Sequence, residues 1–153
     1  MSFEKPSLKS RALLFLSRRE HSRAELERKL KGYEEEPGSL ARALDELQAK
    51  GFIDEQRVIE SVLHRRAAKL GVARIRQELQ SKGLDADHIS EAVADLRASE
   101  RERASAVWRK KFGQPPASAS EAAKQMRFLA ARGFAAETVR RVVAGADDEM
   151  DLP

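Results

Sequence analysis

Apolar residues recur along this chain at steps of three and four, and nowhere alternate with polar ones over the length of a strand. Helix formers dominate (Ala, Leu, Arg, Glu, Gln and Lys), while the breakers fall between the periodic stretches: Gly32, Pro37-Gly38, Gly51, Gly71, Gly83, Gly113 with Pro115 and Pro116, and Gly133. The pattern predicts about nine helices, over 8–18, 22–31, 39–50, 54–69, 72–82, 85–98, 100–112, 118–132 and 135–145. Ser22-x-x-Glu25 and Ser118-x-x-Glu121 have capping-box spacing, and Asp54 and Asp85 are placed to cap the helices that follow them.

Self-comparison gives a period of about 49 residues. Leu14, Leu63 and Phe112 lie 49 apart; Leu40, Ile89 and Val139 follow at 49 and 50, with Leu44, Val93 and Val143 one turn later. Ser22, Gly71 and Ser120 fall at the start of each second helix, and Gly83 and Gly133 share a Leu-x-x-[Lys/Arg]-Gly-[Leu/Phe] context. A unit of three short helices cannot build a deep core alone, so stacked neighbours must bury the remaining apolar faces. The expected architecture is all-α: three tandem three-helix repeats in an elongated, curved array, over 8–51, 54–98 and 100–146, followed by an acidic tail, 147–153.

Composition narrows the function. The 153 residues include no cysteine, which removes disulfides, thiolate metal sites and a cysteine nucleophile, and fits a reducing compartment. The longest aliphatic block, residues 12–16, is far too short for a bilayer, and Met1-Ser-Phe-Glu-Lys-Pro lacks the apolar core of a signal peptide; a soluble, cytoplasmic protein is expected. The net charge is +4, but four acids, Asp147, Asp148, Glu149 and Asp151, crowd the end; without them 29 basic groups face 21 acidic ones, a net of +8. A basic body of this kind suits a polyanion or an acidic protein surface.

No catalytic motif accompanies the charge. There is no glycine-rich phosphate loop, and His21, His64 and His88 are too far apart for paired metal ligands on one helix, so each is expected at the surface or at a cap. Glu34-Glu35-Glu36, before Pro-Gly, reads as a solvated cluster. The sequence calls for no enzyme, no cofactor and no metal.

Two basic clusters remain. Arg57, Arg65, Arg66, Lys69, Arg74 and Arg76 face one acid, Glu60, across residues 57–76. Arg65 and Lys69 are four apart, a stripe on one helical face. Arg109-Lys110-Lys111, preceded by Arg101 and Arg103, forms the second. Like charges this close repel one another, and an anion relieves them. Trp108 reads as core, and stacking aromatics are too few for a single-strand reader of the base-stacking kind.

Three blocks resemble the RecX family: Ser17-Arg-Arg-Glu-His-Ser-Arg-Ala-Glu-Leu-Glu-Arg-Lys-Leu30, Leu44-Asp-Glu-Leu-Gln-Ala-Lys-Gly-Phe-Ile-Asp-Glu-Gln-Arg57, and residues 64–83 from His64 to Gly83. The match in order and spacing covers roughly residues 8–98; the last third is carried by the period and by Leu129-Ala-Ala-Arg-Gly-Phe134. The resemblance implies three tandem three-helix repeats, and a modulator, usually an inhibitor, of the recombinase RecA. Such a protein binds the RecA–DNA filament, lowers its ATPase, strand-exchange and coprotease activities, and binds DNA itself. One departure stands out: where the family often has a Lys-Gly-Tyr/Phe-Gly-like turn, this chain has Lys69-Leu-Gly71-Val, and the missing glycine is expected to stiffen the joint between the fourth and fifth helices.

The sequence reading is therefore a non-enzymatic, monomeric regulator of RecA, acting in DNA repair and the SOS response. Arg57, Arg65, Arg66, Lys69, Arg74, Arg76, Arg109, Lys110 and Lys111 would meet the filament or, without sequence preference, single- or double-stranded DNA. Two readings stay open beside it: a helix-turn-helix-like DNA-binding protein, which predicts sequence discrimination and dimers, and a protein-only scaffold, which predicts indifference to the basic stripe.

Overall fold

The structure, a computed structural model, describes residues 5–145, so the acidic tail lies outside the described residues. Among the described residues there are nine α-helices and no strand: α1 (Leu8–Arg18), α2 (Arg23–Leu30), α3 (Ser39–Ala49), α4 (Glu55–Arg66), α5 (Val72–Ser81), α6 (Ala86–Ala98), α7 (Glu100–Lys111), α8 (Ala119–Ala131) and α9 (Ala136–Ala144), with one 3-10 turn, Lys31–Tyr33.

The caps follow the sequence closely. Ser22 and Glu25 form a full capping box, and Asp54 and Asp85 accept from the first free N–H groups of α4 and α6. At α8 only half the expected box forms: the Ser118 hydroxyl accepts from Glu121 N–H, but the Glu121 carboxylate takes Ala117 N–H instead of the cap's own. Glu34 is not idle either, since its carboxylate accepts from Leu40 N–H in the first turn of α3.

Each repeat closes around its own core. Ala12, Leu26, Leu30, Leu44 and Leu47 are buried in the first, Ile59, Val62, Ile75, Leu79 and Val93 in the second, and Ala104, Trp108, Leu129, Val139 and Val143 in the third. The third-helix register holds: Leu40, Ile89 and Val139 are all buried, as are Leu44, Val93 and Val143. The first-helix register does not. Leu14 is 56% exposed, whereas Leu63 and Phe112 pack against their cores. Counted from the caps Ser7, Asp54 and Ser99, the equivalent buried positions are Ala12, Ile59 and Ala104, with Leu16, Leu63 and Trp108 one turn later. The first helices are nearly equal, but the stretch from each first-helix cap to the next helix's cap lengthens from Ser7–Ser22 to Asp54–Gly71 to Ser99–Ser118, so the period shifts locally and a fixed step of 49 overshoots. The second helices show the same effect at the far end, where Ser118, not Ser120, is the cap.

The three second helices meet end to end. The end of α5 sits on the start of α2: Ser22 Oγ donates to Lys82 O at 2.6 Å and Arg28 to Ser81 O at 2.8 Å. The end of α8 sits in the same way on the start of α5, where Gly71 N–H donates to Arg132 O at 2.8 Å, Ala73 N–H to Gly133 O at 3.3 Å and Arg74 to Ala131 O at 2.9 Å. The free carbonyls of one helix end are thus satisfied by the free donors of the next helix start, and the two dipole ends attract. Gly83 and Gly133 turn the chain at these ends with φ of 68° and 92°, in the left-handed region where glycine has no Cβ penalty.

Candidate interaction surface

The joint between α4 and α5 carries the densest group of candidate cations. α4 ends at Arg66, three residues short of the expected end, because the chain turns: Lys69 and Leu70 N–H both donate to Arg66 O. The turn is held from below by Arg103 of α7. Its guanidinium donates to Ala67 O at 2.8 Å, Leu70 O at 2.7 Å and Leu96 O at 3.0 Å, and its Nε to Ser99 Oγ at 3.1 Å. Burial pulls the Arg103 pKa down and the charge of Glu100 pushes it back up. Five fixed donors on one planar group suit three convergent carbonyls, a task lysine cannot reproduce. Sequence reading placed Arg103 in a basic surface cluster, and the structure gives it this internal role.

Of the first cluster, Arg65 and Lys69 are exposed, but Lys69 lies in the turn and not on α4, so the predicted helical stripe is broken. Arg66 reaches Glu78 of α5 at 3.5 Å, tying the two sides of the joint. Arg74 is exposed, yet its stem lies beside Gly133 and its head caps Ala131 O. Arg76 lines a cleft of about 500 Å³ with Val72, Ala73, Arg97, Glu100, Gly133 and Ala135. Arg57 belongs elsewhere: its guanidinium bonds Glu20 at 3.0 Å and Gly51 O at 2.6 Å, joining repeats 1 and 2. Arg109, Lys110 and Lys111 are exposed in the last turn of α7, where cations also favour the helix dipole, and the Lys111 ammonium stands 5.4 Å from the Phe128 ring centre.

Gly71 fixes this joint. A Cβ there would fall closer than 3.0 Å to the backbone of Gly133 and Phe134, so only glycine lets α8 dock. The joint is thus bounded by two sets of contacts, the backbone of repeat 3 and the Arg103 guanidinium.

Buried charge holds the frame at both ends of α5. Glu25, 7% exposed, accepts from Arg19 at 2.7 Å and Lys82 at 3.1 Å. Burial pushes its carboxyl pKa up, but the hydrogen bonds from Arg19, Ser22 N–H and Lys82 outweigh it and hold it at about 2. Glu100, 8% exposed, accepts from Val72 and Ala135 N–H, the starts of α5 and α9, both at 3.3 Å. Glu55 serves α6 in the same way, through Asp85 N–H. The sequence signal for this pair is an acid immediately after the first-helix cap, in Asp54-Glu55 and Ser99-Glu100.

The histidines divide. His64 and His88 are exposed; the Glu55 carboxylate, 2.8 Å from His88 Nδ1, raises the His88 pKa. His21 overturns the surface expectation. It is 2% exposed, its Nδ1 at 3.1 Å from Arg19 O and its Nε2 at 2.9 Å from the Lys29 ammonium. Since Lys29 can only donate, the Nδ1–H tautomer satisfies both contacts. Burial is the main cause lowering its pKa. The Trp108 indole is core, as expected, and donates to Gln125 at 2.8 Å.

Among the described residues no helix is long and apolar enough to cross a membrane. Sequence models described as the first, second and third three-helix domains of RecX match residues 9–47, 54–93 and 99–143. The chain is 56% identical to "Regulatory protein RecX" of Leptothrix cholodnii, over 95% of this chain and 92% of that one. It is 50% identical to the protein of the same name from Ralstonia nicotianae, over 95% and 91%. Its fold is similar to the crystal structure of RecX from Lactobacillus salivarius, with a TM-score of 0.73, 18% identity and coverage of 92% of this chain and 94% of that one.

Proposed function

Because the chain belongs to the RecX family of regulatory proteins, we propose that it regulates RecA without chemistry of its own, by docking along the RecA–DNA filament. The observation that carries this reading is the α4–α5 joint. Arg65, Arg66 and Lys69 gather on a turn that Arg103 and the end of α8 hold rigid, so the cations are presented with little ordering cost. An elongated array of three repeats suits a groove running past several filament subunits. Arg74 and Arg76 extend the contact on the α5 side, and Arg109, Lys110 and Lys111 carry it to repeat 3. Arg57, already engaged with Glu20 and Gly51, supports the shape of the array more than the contact itself.

In this reading the cations meet filament carboxylates or DNA phosphates, and the bound protein blocks subunit addition or favours disassembly. ATP hydrolysis, strand exchange and coprotease activity fall together, because all three need the intact filament. Contact with DNA is sequence-blind and weakens with salt, as phosphate neutralisation requires. The protein acts as a monomer in the cytoplasm.

The test is the double reversal Arg65→Glu and Lys69→Glu, with Arg66 left in place because it pairs with Glu78 across the joint, assayed by co-sedimentation with RecA filaments assembled on single-stranded DNA. The side chains are solvent-facing, so the helical circular dichroism should be unchanged while filament binding falls by more than about tenfold, the scale expected when two interfacial charges become repulsive. Binding equal to that of the parent chain would overturn the assignment.

A further inference from the structure

The two junctions between repeats contain the same cleft, built with opposite charge. At the first it measures about 140 Å³, and Arg23, Ala24, Gln48, Glu55 and Gly83 are among its lining residues. At the second it measures about 500 Å³, and Val72, Ala73, Arg97, Glu100 and Gly133 stand at the corresponding positions. Arg23 organises the first. Its guanidinium lies 2.7 Å from Asp45 Oδ1 and donates to Gln48 at 2.9 Å, to Ala41 O at 3.2 Å and, through Nε, to Glu27 at 3.2 Å. One cation there meets two acids. The period of 49 carries Arg23, Glu27, Asp45 and Gln48 onto Val72, Arg76, Ala94 and Arg97. The central cation and both acids are gone, and two arginines line the wider space instead. Neither the Arg76 nor the Arg97 guanidinium forms a hydrogen bond or ion pair with another described residue. Glu100 does not supply one, because its carboxylate is taken by Val72 N–H and Ala135 N–H.

We propose that the cleft between repeats 2 and 3 takes the carboxylate of an aspartate or glutamate side chain on a protein surface, held between the guanidinia of Arg76 and Arg97. At the first junction the chain supplies its own acids, Glu27 and Asp45; at the second the incoming carboxylate takes their place. Arg76 and Arg97 belong to different helices, α5 and α6, and each offers a planar fork that matches a carboxylate. The rest of the wall favours a side chain over a phosphate backbone. Val72, Ala73, Gly133 and Ala135 are small and apolar, and suit the methylene stem of an acidic residue. A sugar–phosphate chain would press polar flanks against them without hydrogen-bond partners. Glu100, buried and negative, keeps the anion at the two arginines and away from the start of α5. The carboxylate preference rests on the cleft alone. That the surface belongs to the RecA filament rests on the reading above, to which the cleft adds Arg97.

The test compares the full chain with R76Q/R97Q, and with R127Q/R140Q, two exposed arginines outside the cleft, as the control for lost charge. Because neither cleft guanidinium has a partner in the fold, the melting temperature of R76Q/R97Q should stay within about 2 °C of the parent. Co-sedimentation with RecA filaments should weaken about tenfold for R76Q/R97Q and less than about twofold for the control. Binding of a fluorescent single-stranded oligonucleotide without RecA should fall equally in the two variants, by less than about threefold. Filament binding by R76Q/R97Q equal to that of the control would overturn the proposal. A loss on the bare oligonucleotide as large as on the filament, and absent from the control, would assign the cleft to phosphate and overturn the carboxylate. If the parent chain does not bind the filament, the filament reading fails and 1H–15N NMR decides the cleft. There an acetylated hexaglutamate peptide should shift the Nε–H signals of Arg76 and Arg97 before those of the other exposed arginines, and dimethyl phosphate should not. Peptide shifts spread evenly over the basic residues, or missing at Arg76 and Arg97, would overturn it.

Discussion

Replacing Gly71 by alanine perturbs the molecule at the contact that aligns repeats 2 and 3. The φ of Gly71 is −80°, so alanine meets no backbone strain of its own; the whole effect comes from what its Cβ would touch. That atom would overlap the carbonyl of Gly133 and the nitrogen of Phe134, both backbone, and ordinary contact begins near 3.4 Å. Relief therefore requires the end of α8 to withdraw by roughly 1 Å, which takes hydrogen bonds beyond their working range. Three are exposed to this: Gly71 to Arg132 O, Ala73 to Gly133 O and Arg74 to Ala131 O. At about 1 kcal/mol each the loss is about 3 kcal/mol. For a chain of this size that lowers the melting temperature by roughly 6–12 °C. Gly32→Ala is the matched control, because nothing lies within 4 Å of its Cβ position and its φ is not left-handed; its stability should stay within about 0.5 kcal/mol of the parent. Thermal unfolding followed by circular dichroism separates the two variants, and small-angle scattering reports whether the array opens at the second junction. If Gly71→Ala melts and scatters like the parent, the end-to-end stacking of α8 on α5 does not hold repeats 2 and 3 together.

Three further outcomes follow from the charged interior. Glu25 has a folded pKa of about 2 against an ordinary 4.5, so its contribution is complete above about pH 5 and is lost as the pH falls through 4.5 towards 2; the difference is about 3 kcal/mol, and urea unfolding of Glu25→Gln should show a correspondingly shallower acid slope. An equal slope would remove Glu25 as the source. In an NMR titration His21 should gain its proton below 6.5 and His88 above it; the lowered group favours folding at high pH and loses that contribution as the pH falls, whereas the raised one acts in the opposite sense. The reverse order would contradict the burial of His21. Arg103→Lys should cost about 2–4 kcal/mol, since one ammonium cannot reach three carbonyls, and hydrogen exchange of residues 67–71 should quicken. Unchanged protection there would mean that the turn holds itself.

What the sequence made legible was local. The capping residues Ser22, Asp54 and Asp85, and the glycines at 83 and 133, mark helix ends within a residue or two, because caps act over three or four positions. The third helices keep their spacing, so Leu40, Ile89 and Val139 align. Leu14 misleads because the loop between the first and second helices lengthens from repeat to repeat, and only the caps reveal the offset. Long-range partners were beyond reach: Glu25 with Lys82 is 57 positions away, and Arg103 with Leu70 O is 33. The same limit hid His21, whose burial depends on Phe15 and Lys29 closing over it. It also merged two kinds of arginine. Arg57 and Arg103 bind this chain's own carboxylates and carbonyls, whereas Arg65 faces solvent, and no count of charges distinguishes them.

The regulatory reading stands or falls on DNA-dependent ATP hydrolysis by the cognate RecA, preassembled on single-stranded DNA, as this protein is added. A parallel series with excess DNA separates competition for DNA from action on the filament. The account predicts inhibition at substoichiometric protein that added DNA does not relieve. Hydrolysis unchanged up to a several-fold molar excess of the protein would contradict it.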